Sequence, residues 1–188
     1  MTHKIYEITD DITAIVLDID EENVQEIIAN NVVSICEGSA ETDLETIKIK
    51  LKDYLEPKTI KQKRGAIAEF YVHLFLKSLG YKQNFLFLNL EENSIKKGFD
   101  GYYTYNCDEW IVESKSGINT THQNKIKEAY SDLEKKLTTK EKNNPWENAY
   151  NHAAHIAVAA EKTIIEKLKK LSNDYINCLL YTSPSPRD

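Results

Sequence analysis

The sequence predicts an α/β domain of the α+β kind: a mixed sheet containing a three-strand meander, flanked by helices and preceded by a small N-terminal appendage. Three observations predict it. Residues 59–79 carry apolar side chains at helical spacing between a Thr that can cap and a Gly that can stop the helix. Residues 83–90, 99–105 and 109–115 are short apolar or Tyr-rich runs separated by turn residues. Residues 123–137 and 145–171 return to helical spacing. At 188 residues, 41% hydrophobic and 29% charged, the chain is long enough to bury a core.

Residues 4–8 and 11–19 alternate or run apolar as strands, with Asp10 and Asp11 as the turn. Asp20 or Glu21 opens a helix through Val24, Ile27 and Ile28, and GSAET at 38–42 is a loop. Asp43 caps a helix whose stripe is Leu44, Ile47, Leu51 and Leu55, ending before Pro57. The long helix after Thr59 presents Ile67, Phe70, Tyr71, Leu74 and Ser78 to the sheet, with Glu69 at the margin. Glu69 either enters a polar pocket or pairs with Arg64 or Lys77. His73, one turn on, either joins that pocket or is a hydrogen-bonded residue at the core edge.

The first sheet strand is QNFLFLNL, Gln83 to Leu90, and Asn106, Cys107 and Asp108 form the turn between the next two. The following helix carries Ile126, Tyr130, Leu133 and Leu137 on one face. Asn144 and Pro145 then supply an N-cap and an N1 proline for one long Ala-rich helix. His152 and His155 share a face of it at a spacing a metal accepts, with no acidic or Cys partner nearby in sequence. Tyr175 and Ile176 either begin a further strand or precede structure lost to truncation. The final residues, 178–188, CLLYTSPSPRD, back-translate into a transposase sequencing adapter, so they are expected to be an artefact following a truncated domain at 58–177.

The net charge is −6. Residues 1–57 hold 14 acidic and 4 basic side chains, a net −10, so the remainder carries +4. The acidity that argues against a nucleic-acid binder is therefore confined to the appendage. Lys58, Lys61, Lys63 and Arg64, and Lys96 with Lys97, either meet phosphates or are solvated faces. Three cysteines, Cys36, Cys107 and Cys178, have no metal spacing and imply no disulfide framework. No run of eighteen apolar residues and no signal-peptide core is present, so a cytoplasmic protein without membrane contact is expected.

The chemistry concentrates in GFDGYYTYNCDEWIVESK, residues 98–115. Alternation along a strand sends Glu113 and Lys115 to one side, and hairpin pairing brings Asp100 across to Glu113. Two confined carboxylates repel, and a hard divalent cation resolves the repulsion, while a nearby lysine can stabilise developing negative charge. That set suits phosphodiester hydrolysis; a structural ion-pair network at a strand edge is the other reading.

Asp100 with Glu113-Ser114-Lys115, following a helix that bears Glu69, resembles the PD-(D/E)xK nuclease superfamily. The superfamily's usual Pro before the Asp is Phe99 here. The resemblance implies a restriction-endonuclease-like core and Mg²⁺- or Mn²⁺-dependent cleavage of nucleic acid, with DNA favoured over RNA. Asp100, Glu113 and the Ser114 carbonyl would hold the ion, Lys115 would act at the water or the phosphate, and Glu69 would orient that water or hold a second ion. GFDG, the E-x-K strand and the helix after NPWENAY also resemble the nuclease domain of HamA-type anti-phage proteins of Hachiman defence, over residues 63–173. This narrower resemblance implies a helicase partner. The alternative to an enzyme is a non-catalytic nucleic-acid-binding or partner-binding module on the same fold.

Overall fold

The computed structural model describes residues 2–9, 12–18, 21–38, 42–88, 98–138, 144–155 and 162–181. Strands β1 (Thr2–Thr9) and β2 (Ile12–Asp18) form an antiparallel hairpin with an irregularity between Glu7 and Thr9. The Asp10-Asp11 turn lies outside the described residues. Three helices follow: α1 (Glu21–Glu37), α2 (Leu44–Leu55) and α3 (Ile60–Ser78). A sheet of order β3-β4-β5 comprises β3 (Lys82–Gln83), β4 (Gly101–Tyr105) and β5 (Asp108–Val112), antiparallel throughout. Helices α4 (His122–Thr138), α5 (Pro145–His155) and α6 (Lys162–Tyr181) complete the α+β fold.

The helix starts are built as the sequence dictates. Asp43 Oδ1 accepts from the Thr46 amide at 2.8 Å at the head of α2. Thr59 and Gln62 form a reciprocal capping box on α3, and Gly80, at φ +86°, follows its last turn. Asn144 Oδ1 accepts from the amides of Trp146 and Glu147, fixing the start of α5.

Two apolar clusters hold the fold. One joins α1, α2 and α3 through Val32, Ile35, Ile47, Ala66, Phe70 and Leu74, so it spans both sides of position 57. The other gathers Phe85, Phe99, Tyr102, Ala149, Ala153 and Leu168 between the sheet, α5 and α6. The segment 84–88 joins them, with Phe85 in the second cluster and Phe87 and Leu88 in the first.

That division corrects the predicted strand 83–90. Only Lys82 and Gln83 pair with β4; the Asn84 amide donates to Tyr102 O, and then the Phe87 amide turns to Ile35 O at the end of α1. A run with its aromatic rings committed to two different cores cannot keep one strand register. Residues 89 and 90 lie outside the described set.

The single long helix predicted from Pro145 is two helices packed on each other, α5 and α6, with 156–161 outside the described residues. Tyr175 does not begin a strand. It lies on α6, where Ile164, Leu168, Ser172 and Tyr175 form one buried stripe at helical spacing. The stripe foreseen on α3 is displaced as well: Ala66, Phe70, His73 and Leu74 are its buried face, while Ile67 and Ser78 are exposed. Helix α4 has no buried residue, and of its predicted apolar stripe only Leu133 packs against the second cluster. Cys36 is buried, and Cys107 is an exposed free thiol. Among the described residues, no helix is long and apolar enough to cross a membrane.

Candidate active site

The approach to Asp100 is fixed by its two predecessors. Gly98 has φ +80°, and a Cβ there would lie 2.2 Å from the Pro145 carbonyl oxygen, so only glycine fits. Phe99, 1% exposed, buries its ring edge-on against Trp146, with centroids 4.9 Å apart. Phe99 is thus an anchor that holds the chain against the start of α5.

The hairpin then sets Asp100 opposite Glu113. Gly101 pairs with Val112 and Tyr105 with Asp108, and the turn residues Asn106 and Cys107 take φ of 50° and 69°. One step past the Gly101 pair, Asp100 and Glu113 flank the open end of the ladder. The Ser114 amide and hydroxyl both donate to Asp100 Oδ2, at 2.7 and 2.9 Å. Lys115 Nζ donates to Glu113 Oε1 at 2.6 Å and reaches Asp132 Oδ2 at 2.9 Å. Asp100, Glu113, Ser114 and Lys115 are therefore brought together, and Ser114 acts through its N–H and hydroxyl.

Helix α3 supplies the back of the site. A Cβ on Gly65 would sit 3.8 Å from Ser116 Oγ, so the helix passes close to the strand end one turn before Glu69. Glu69 Oε1 lies 3.8 Å from Nε2 of the buried His73, whose Nδ1 shares a hydrogen bond with the Tyr103 hydroxyl. His73 is thus the hydrogen-bonded residue at the core edge, next to Glu69. Lys77 is engaged by Ser34 Oγ.

Two residues of α4 enter unforeseen. Lys136 Nζ donates to Glu113 Oε2 at 2.5 Å, and Asp132, one turn earlier, holds Lys115. The Glu113 side chain is 3% exposed, and both its oxygens are taken by ammonium groups. The sequence signal was an acid and a base at i, i+4 on the helix after E-x-K, a pattern shared by many solvated helices. Among the described residues, no three His, Cys, Asp or Glu side chains form a ready-made metal cage. The side chains of His152 and His155 lie outside the described set, as do Lys96 and Lys97. Lys61 and Arg64 are exposed, and Lys58 Nζ stands 4.0 Å from the centre of the Tyr54 ring.

A model of the HamA family matches residues 2–182. The chain belongs to the HamA family. The match takes in the N-terminal hairpin and α1 as well as the sheet, and so extends the resemblance beyond residues 63–173. Membership of the HamA family points to a part in Hachiman anti-phage defence. No curated protein and no solved structure matched the chain.

The electrostatics of this HamA-family site are those of crowded acids steadied by bases. Burial, and then the charges of Glu69 and Glu113, push the Asp100 carboxyl above the usual Asp range; the two hydrogen bonds from Ser114 oppose the shift without cancelling it. Burial disfavours the Lys115 charge, but hydrogen bonds to Glu113 and Asp132 outweigh it and raise its pKa. Lys115 is therefore an ammonium at neutral pH, able to stabilise charge and unable to act as a base. Burial, then the Glu69 charge, raises Tyr103, which keeps it a neutral phenol.

Proposed function

We propose that this HamA-family protein is a metal-dependent nuclease hydrolysing phosphodiester bonds, with DNA the favoured substrate, and that it is the effector of an anti-phage defence system working with a helicase partner. The observation that carries the reading is the meeting of Asp100, Glu113 and Lys115 at one end of the β4–β5 hairpin. The family match supports the defence role.

Carboxylate and carbonyl oxygens are the donor chemistry a hard divalent cation takes, and Asp100 and Glu113 flank one end of the hairpin. Asp100 is pushed toward its neutral form by burial first and then by Glu69 and Glu113, and a doubly charged ion relieves the repulsion among the carboxylates. Asp100 and Glu113 would hold Mg²⁺ or Mn²⁺, with the Ser114 carbonyl and Glu69 as further oxygen donors. When bound, the ion supplies Lewis-acid polarisation of a phosphate oxygen and a water of lowered pKa. Ser114 fixes the rotamer of Asp100 through two hydrogen bonds. Lys115 places a permanent positive charge beside Glu113, where it meets negative charge building on the scissile phosphate. His73, itself bonded to Tyr103, stands behind Glu69 and limits its swing.

The test is to incubate the protein with supercoiled plasmid and with end-labelled single strands of DNA and RNA, in Mg²⁺ or in EDTA. Cleavage in Mg²⁺ that EDTA stops supports the reading. Binding of DNA with no cleavage under either condition would favour the non-catalytic module.

A further inference from the structure

We infer that Lys136 is a built-in counter-ion, an ammonium that holds the outer oxygen of Glu113 until a divalent cation displaces it. The inference rests on the metal-dependent reading above and adds a residue to it.

A carboxylate with 3% exposure needs cationic or hydrogen-bonding partners on both oxygens, because its desolvation is otherwise uncompensated. Lys115 takes Oε1 and Lys136 takes Oε2. The two lysines are held differently. Lys115 sits two residues on, in the segment that follows the end of β5 at Val112, and Asp132 fixes its ammonium from the other side. Lys136 reaches in from α4, a helix with no buried residue, which meets the body of the protein at this point through Leu133 and these ion pairs.

A divalent ion bound between Asp100 and Glu113 would stand against the Lys136 ammonium at short range, and like charges in a poorly hydrated site repel strongly. One must leave, and Lys136 is the movable one. Lys115 is fixed by Asp132 as well as by Glu113, whereas Lys136 reaches Glu113 from a helix with no buried residue and can swing back to solvent along that helix. The protein without metal is thereby spared a buried carboxylate with one oxygen left without a partner. The cost is weaker metal binding.

Calorimetric titration with Ca²⁺ alone, a probe for hard oxygen sites, tests this on the full chain and on Lys136→Met and Lys136→Arg. We expect Lys136→Met to bind about tenfold or more tightly than the unaltered protein at low ionic strength, and Lys136→Arg to stay near it. Asp100→Asn should lose binding in every background, which identifies the site being titrated. Equal or weaker binding by Lys136→Met overturns the inference while leaving the metal-dependent reading standing. Absence of binding in all variants overturns both. If Lys136→Met does not fold, Lys136→Gln, which offers Glu113 a neutral donor, gives the same comparison.

Discussion

Ser114 ties the two halves of the site together, its amide and its hydroxyl both donating to the same oxygen of Asp100 across the mouth of the hairpin. Asp100 comes from the GFDG segment and Ser114 from E-S-K, so this one pair sets the separation of the residues that flank it. Ser114→Ala deletes the hydroxyl donor and leaves the amide. The expected loss is about 1–2 kcal/mol of stability, read as a lower urea midpoint with an unchanged slope.

Asp100 also makes stability depend on pH. Its carboxyl is raised in the folded protein, by burial first and then by Glu69 and Glu113, so the folded state holds a proton the unfolded state has already released. Between the ordinary value of 3.8 and the raised one, the folded chain therefore binds more protons, and stability falls as pH rises through that window. Asp100→Asn removes the effect. In the absence of metal, the variant should melt higher than the unaltered protein at pH 8, and the two melting temperatures should converge towards pH 4.

The turn of the hairpin stores strain at Cys107, whose φ of 69° suits glycine better than a side chain. Cys107→Gly should raise stability by about 0.5–1 kcal/mol, since the residue is exposed and its thiol free. Differential scanning calorimetry reads this as a rise of roughly 1–4 °C in Tm. Cys107→Val, with a branched side chain at the same φ, should shift the Tm the other way.

Features set by neighbours in sequence were legible. The caps at Asp43 and Thr59, the stop at Gly80 and the turn residues Asn106 and Cys107 each follow from a pattern a few residues long, although Asp108, expected in that turn, instead pairs with Tyr105 at the start of β5. What the sequence hid depends on distant partners. Phe85 and Phe87 read as one strand until two cores claim them separately. The Ala-rich run after Pro145 reads as one helix because Ala favours helix throughout, whereas Ala149 and Ala153 allow Ile164 and Leu168 of a second helix to pack close. Lys136 was hidden for the same reason: nothing local marks which edge of α4 meets Glu113.

If Asp100, Glu113 and Lys115 form one metal-dependent hydrolytic site, cleavage depends on all three. Single-turnover cleavage of DNA in Mg²⁺ decides this, with the unaltered protein, Asp100→Asn, Glu113→Gln and Lys115→Met each first shown to be folded by circular dichroism. The unaltered protein should cleave and Lys115→Met should be slower by a factor on the order of 10² or more, with no detectable cleavage by either carboxylate variant. Cleavage by all three folded variants at the unaltered rate would contradict that dependence.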